Sequence, residues 1–288
     1  MKDAKNLKKR VVFTIIFNIL ITLVEIGGGL LSNSLALVSD AIHNFADTAS
    51  LILSYISIKV GEKKKDIRHT FGYKRIEILS AFVNALALWV ISIFLIIHSY
   101  KRFIKEEIIN SEIMLFVAIV GLIANFISVL LLHKHSKETL NIKAAYLHLM
   151  GDTFSSIGVV IGSILIFFYK IYWIDPLVTL IIVLYILKES WEVLKESINI
   201  LMQGVPENID IKEVQKDLEK IPMVINVHHT HIWSLSDNNI FFESHIRVKD
   251  MAVSKTYNIS KKIKKLLKDK YKINHITIQY ESEICNDT

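Results

Sequence analysis

Residues 35–60 read LALVSDAIHNFADTASLILSYISIKV. The run is long and apolar enough to cross a bilayer, which takes about 20 mainly apolar residues, yet Asp40, His43, Asn44 and Asp47 interrupt it. On a helix these four positions share one face. Ionisable groups at bilayer depth are expensive and face a partner, a water-filled cavity or an ion. A second run, 144–169, contains HLMGD at 148–152, so His148 and Asp152 repeat the four-residue spacing of His43 and Asp47; Ser155 and Gly162 extend that face. Two imidazoles and two carboxylates suit tetrahedral zinc, which takes nitrogen and oxygen at about 2.0–2.2 Å. A sulfur-free set also fits other borderline divalent ions. One His–Asp pair could simply tie helices together. Two matching pairs on separate spans favour an ion, because unpaired buried charge is strongly penalised.

Working outward, further apolar runs occupy Val11–Leu31, Ile76–Tyr100 and Ile113–Leu132. Pro176–Leu187 is shorter; its helix is expected to start near Tyr172 and continue as an amphipathic segment through Leu194, Ile198 and Leu201. Six spans result. The chain of 288 residues is 52% apolar and 22% charged, with a mean hydropathy of +0.40, which excludes disordered and ordinary soluble classes. A single cysteine, Cys285, excludes an internal disulfide framework. No small-residue cleavage site follows the first run, so it reads as a span and not a signal peptide.

Polar stripes recur at Asn18, Thr22 and Glu25, at Glu77, Ser80 and Asn84, and at Gly121, Asn125 and Ser128. Helix packing accounts for most of them; Glu25 and Asp40 stand out as candidates for an aqueous pathway. Lys2, Lys5, Lys8, Lys9 and Arg10 precede the first span, and Lys59, Lys63, Lys64, Lys65, Arg68, Lys74 and Arg75 surround the loop between spans two and three. Basic residues gather on the cytoplasmic side, so both termini are expected there. The 34 Lys+Arg against 28 Asp+Glu thus reflect topology and lipid headgroup contact, and no nucleic-acid partner is expected.

Composition changes after residue 202, giving an expected membrane domain at 1–202 and a soluble cytoplasmic domain at 203–288. Ile211, Val214, Leu218 and Ile221 keep a helical period after Glu207 and Asp210. Strand-like runs follow at Val224–Leu235 and Ile240–Val248. Ser254 is expected to cap a Lys-rich helix to about Tyr271, and Ile273–Glu281 reads as a last strand. Helix, strand, strand, helix, strand makes a small α+β domain. Plain strand alternation would put His229 and His231 on one side and His228 on the other.

Ser34-Leu35-Ala36-Leu37, Ser39-Asp40-Ala41, His43 to Asp47, residues 71–84 (FGYKRIEILSAFVN), His148 to Asp152, Gly204-Val205-Pro206 and residues 228–235 (HHTHIWSL) together resemble the cation diffusion facilitator family, of the bacterial zinc, cobalt and cadmium resistance type. The resemblance implies a homodimeric cell-membrane exporter of a divalent cation, coupled to inward proton movement. It implies a transport site at His43, Asp47, His148 and Asp152, with His at the first position similar to zinc-preferring members. It also implies a ferredoxin-like cytoplasmic domain that binds further metal at the dimer interface through His228, His245 and Glu281, with His275 nearby. Asp66 and His69 match a loop site of some members, but Tyr73 stands where a His completes it. Gln203 stands where many relatives carry an acid. The loop between spans four and five holds only His133 and His135.

Two ionised Asp and two neutral His carry a formal charge of −2, neutralised equally by Zn²⁺ or by two protons. Metal and protons therefore compete for one set of ligands, and a site open alternately to each side becomes an antiporter. Cd²⁺, Co²⁺, Fe²⁺ or Mn²⁺ are alternative substrates, and a non-transporting metal sensor is a rival. An enzyme is not expected, because four protein ligands leave no open position for zinc-bound water and no hydrolase signature appears.

Overall fold

The computed structural model describes residues 18–133, 140–236 and 239–283, with backbone alone at Leu51, 131–133, 140–145 and 147–148. The helices are α1 (Asn18–Ser32), α2 (Leu35–Gly61), α3 (Arg75–Ile104), α4 (Ser111–His133), α5 (Leu140–Tyr169) and α6 (Ile174–Leu201). After them come α7 (Ile211–Glu219), β1 (Val224–Ser236), β2 (Asn239–Val248), α8 (Val253–Tyr271) and β3 (His275–Glu281). The expected order of elements is the observed one. Residues 11–17 of the first expected span lie outside the described residues.

The chain divides into two compact units, one taking in residues up to Leu53 and Val83–Glu192, the other Ser54–Phe82 and Val193–Thr288. The first unit buries an apolar cluster that includes Leu37, Met114 and Ile166, yet its surface is apolar as well. Leu23, Phe45, Val90, Phe94, Phe116, Phe126, Ile161 and Leu184 are exposed, whereas Ser39, Ser99, Ser128, Ser163 and Thr179 are buried. Water-soluble domains hide their large apolar side chains; a surface this apolar is suited to lipid, and small residues inside let helices approach closely. A Cβ at Gly28 of α1 would lie 2.5 Å from the Val117 side chain of α4, so that crossing needs glycine. Three described helical segments, Arg75–Ile104, Ser111–Leu130 and Leu149–Tyr169, are long and apolar enough to cross a membrane. The 27 residues of α2 and 28 of α6 are comparably long but broken by charged and polar groups. The protein is a multi-pass helical membrane protein.

The start of α2 is fixed from far away in sequence. A helix N-terminus leaves backbone amides without partners, and Asp175, fully buried at the start of α6, accepts from Leu35 N at 2.9 Å and Ala36 N at 3.1 Å. It also accepts from the Ser34 hydroxyl and pairs with Arg102 of α3 at 3.3 Å. One carboxylate thus joins α2, α3 and α6, and its negative charge complements the positive end of the α2 dipole.

In the second unit, β1 and β2 pair antiparallel and β2 and β3 parallel, in the order β1-β2-β3. Val214 and Leu218 of α7 and Ile259, Ile263, Leu267 and Tyr271 of α8 recur at helical spacing and pack with Ile232, Phe242 and Ile246 into one core. Asp210 caps α7 by accepting from Lys212 N. The expected cap of α8 is corrected: Ala252 occupies that position without a side-chain bond, and Ser254 lies inside the first turn. The helix holds without a cap because its apolar stripe is buried. Asp217 of α7 pairs with Lys220 at 2.8 Å and accepts from Tyr271 of α8 at 2.8 Å; it also pairs with Lys270. These donors, Lys220 foremost, hold its carboxyl below the ordinary carboxylate range.

Two outcomes follow. Asp175→Ala should lower the thermal stability of the detergent-solubilised chain by about 1–3 kcal/mol, the usual penalty for stranding buried partners; an unchanged melting temperature contradicts the capping role. Because Asp217 titrates lower folded than unfolded, where its pKa is about 3.9, its contribution is present above pH ~4 and fades as acid protonates it. Asp217→Asn should therefore flatten the fall in melting temperature below pH 5, read by thermal scans across pH 2–6.

Candidate metal centres

His43 and Asp47 lie one turn apart on α2, and Asp152 approaches from α5. His43 Nε2 is 3.4 Å from Asp152 Oδ1 and 3.7 Å from Asp47 Oδ2, and one ligand atom from each residue falls within 4.8 Å of the others. His43 and Asp152 are buried, with Asp47 partly open. Asp152 Oδ1 is shielded from solvent and has the His43 ring beside it. A buried carboxylate met by one long contact remains costly, and a cation between the two groups would relieve it. The backbone of His148 continues α5 one turn before Asp152; its side chain lies outside the described residues, as do His135 and the side chain of His133.

Polar ties hold this face of α2. Asp40 accepts from Ser155 Oγ and, at 3.1 Å, from Ser156 Oγ, both on α5; Ser156 in turn accepts from Asn125 of α4 at 2.8 Å. Asn44 donates to the fully buried Glu25 of α1 at 3.0 Å. A Cβ at Gly121 would run into Glu25 Oε1, so that glycine makes space for the carboxylate. The two pathway candidates, Glu25 and Asp40, are thus each held by hydrogen bonds from side chains of another helix. Sequence reading did not single out Tyr185 of α6, whose ring meets His43 edge-on at 6.0 Å and whose hydroxyl donates to Glu189. An aromatic in an apolar run carries no signal, except the acid four residues later.

In the loop before α3, Asp66 Oδ1 accepts from Arg68 N at 2.8 Å and His69 N at 2.6 Å. Tyr73 donates to Asp66 Oδ2 at 2.6 Å, and the His69 ring lies 3.2 Å from Oδ1. The Tyr73 bond, followed by the His69 and Arg68 amides, holds the Asp66 carboxyl down at about 2. Tyr73, at the position of the absent histidine, spends its hydroxyl on one of the two candidate ligands. The same segment reaches the hairpin: Phe71 packs on Phe241 at 5.4 Å, and Lys74 donates to Asn239 at 2.7 Å.

A second candidate group lies on the sheet. Glu281 Oε1 is 2.8 Å from His245 Nδ1 and Oε2 is 3.2 Å from His228 Nε2, and the three residues offer ligand atoms within 4.8 Å of one another. His228 and His245 are direct partners across β1 and β2, and Glu281 stands beside Arg247 at the end of β3. His275 is not brought to them. It opens β3 opposite Phe241, with the rings 4.5 Å apart, and six residues of strand at about 3.3 Å each separate it from Glu281.

The expected alternation of the histidines is also corrected. Register slips between His228 and His231, so His229 and Thr230 together oppose Ser244. This is a β-bulge, which bends a strand and re-aims its side chains. His229 takes a left-handed φ of 46°, and its ring lies 5.7 Å from that of His228 and 5.0 Å from that of His245.

Residues 11–202 match the family described as the cation efflux transmembrane domain. The chain belongs to the cation efflux family. Residues 206–283 match the cytoplasmic domain of cation efflux proteins. The metal cation efflux system protein CzcD of Cupriavidus metallidurans is 38% identical over 261 residues, covering 91% of this chain and 82% of that protein. The cadmium, cobalt and zinc/H(+)-K(+) antiporter of Bacillus subtilis is 39% identical over 267 residues, covering 92% and 86%. The zinc transporter ZitB of Escherichia coli is 37% identical over 266 residues, covering 92% and 84%. As a cation efflux protein the chain is a membrane transporter and not an enzyme.

Proposed function

We propose that the protein exports a divalent cation, Zn²⁺ by preference, from the cytoplasm in exchange for protons, with His43, Asp47, His148 and Asp152 as the transport ligands. The observation that carries this is the meeting of His43, Asp47 and Asp152 from two helices, with ligand atoms within 4.8 Å, at a depth where such groups need compensation. Imidazole and carboxylate donors fit zinc and its borderline neighbours better than hard cations. Cadmium and cobalt, both in the names of relatives, are the alternative substrates, ahead of Fe²⁺ and Mn²⁺. A metal sensor without transport is the lesser reading, because sensing needs no ion ligands between α2 and α5.

The mechanism follows from charge. Two carboxylates and two neutral imidazoles leave −2 in a low-dielectric layer, a state that either one Zn²⁺ or two protons neutralises. Each loaded form moves more readily than the bare one, so exchange of one ion for about two protons avoids the costly intermediate. Asp40 and Glu25, hydrogen-bonded beside the ligands, supply polar surface along which water and protons approach. Residues 1–202 form the transport domain and 203–288 a cytoplasmic domain that joins two copies into a homodimer, with both termini in the cytoplasm and lipid around α1–α6. His228, His245 and Glu281 bind the same ion on the cytoplasmic side and regulate the cycle.

Proteoliposome zinc flux tests this. Asp152→Ala should reduce flux at least ~100-fold while the sheet group still binds zinc; wild-type flux removes Asp152 from the site. Because protons compete for the ligands, the zinc Kd of the membrane site should rise as pH falls from 8 to 6, by up to ~100-fold per pH unit if two protons are displaced. A pH-independent Kd, or flux strongly dependent on voltage at fixed pH gradient, contradicts the neutral exchange.

A further inference from the structure

We propose that Tyr185 of α6 is a positioning residue for the membrane ion group, its ring holding the His43 imidazole and its hydroxyl moored to Glu189 on the cytoplasmic side of the site. The inference rests on reading His43, Asp47 and Asp152 as ion ligands. It gives that group a wall on a third helix.

Three contacts converge on this one side chain. Its ring meets that of His43 at 6.0 Å between centroids, with the planes 80° apart, the edge-to-face arrangement that ring pairs prefer. Its hydroxyl lies against α5 at the residue before Asp152. A Cβ at Gly151 would fall 2.9 Å from Tyr185 Oη, so glycine makes room for the hydroxyl there. The same hydroxyl donates to Glu189 Oε1 at 2.5 Å, one turn further along α6. Tyr185 thus meets both the helix that carries His43 and the helix that carries Asp152, and a carboxylate fixes its far end.

The open side of the ion group agrees with this placement. Asp47 follows His43 by one turn along α2; its side chain is 28% exposed, where those of His43 and Asp152 are 4%. The group is therefore open toward the C-terminal end of α2. Glu189 lies in the corresponding direction along α6. With both termini in the cytoplasm, α2 and α6 run the same way, so Asp47 and Glu189 both stand on the cytoplasmic side.

An imidazole binds a metal ion through a lone pair in the plane of its ring, so a rotated ring swings its nitrogen off the ion. Groups that orient a ligand from behind change metal affinity by about 10–100-fold. Among the described residues α6 gives the group no ligand. A shift of α6 against α2 and α5 therefore reaches the ion through Tyr185, without a change in the charge of the site.

The test uses the purified full chain carrying His228→Ala and His245→Ala, so that the membrane group is read alone. The readouts are Zn²⁺ affinity, the visible bands of bound Co²⁺, melting temperature and zinc flux in proteoliposomes. Tyr185→Leu keeps apolar bulk and should weaken Zn²⁺ binding about tenfold or more, with shifted Co²⁺ bands. Tyr185→Phe keeps the ring and should bind within about twofold of the parent, with unchanged bands. Tyr185→Phe and Glu189→Ala break one and the same bond, so each should slow flux about two- to tenfold, and the double variant should be no slower than either. A Tyr185→Leu protein that melts lower but keeps the parent's affinity and Co²⁺ bands shows that Tyr185 only fills space, and the proposal fails. Effects of Tyr185→Phe and Glu189→Ala that multiply in the double variant overturn the mooring. If Asp47→Ala with Asp152→Ala leaves zinc bound as in the parent, the membrane group is no ion site, and the underlying reading falls with the inference.

Discussion

The interaction on which this structure turns is the close approach of His43 on α2 to Asp152 on α5, 3.4 Å apart and buried. Groups of this kind lose their hydration when helices pack in lipid, and a mutual hydrogen bond rarely repays that loss in full. Their neighbours secure the geometry. Asp175 fixes where α2 begins, the Asp40 bonds to Ser155 and Ser156 tie α2 to α5, and Asn44 with Glu25 ties α2 to α1. These ties use polar groups because lipid removes the hydrophobic incentive for one helix to prefer another. The arrangement therefore positions ligands while presenting apolar side chains outward.

The architecture was legible because its signals are local. Apolar length marked the spans, the His-x-x-x-Asp spacing marked the face of α2, and the helix, strand, strand, helix, strand order of the second unit followed from periodicity alone. Asp175 was not legible. Its bond to Leu35 N spans 140 positions in sequence, and an acid at a helix start looks ordinary without its distant partners. Tyr185 was hidden for a similar reason, since its role beside His43 depends on how α6 packs.

On the sheet, the grouping of His228, His245 and Glu281 was legible and the place of His275 was not. His275 and Glu281 are near in sequence but stand at opposite ends of β3, while His228 and Glu281, 53 positions apart by their numbers, meet at its far end. For the histidines the period-two rule failed at the bulge between His228 and His231, where one extra residue reverses which face a side chain takes. Bulges arise from pairing between strands, so nothing local to residues 228–231 announces one.

The central claim is that one divalent ion sits between α2 and α5 on nitrogen and oxygen ligands. X-ray absorption at the zinc edge, on the full chain carrying His228→Ala and His245→Ala, reads that site directly. The expected spectrum is four nitrogen or oxygen neighbours at about 2.0–2.2 Å with no sulfur, disappearing when Asp47 and Asp152 are also changed to Ala. Zinc that stays bound with the same spectrum after those two carboxylates are gone would contradict the account.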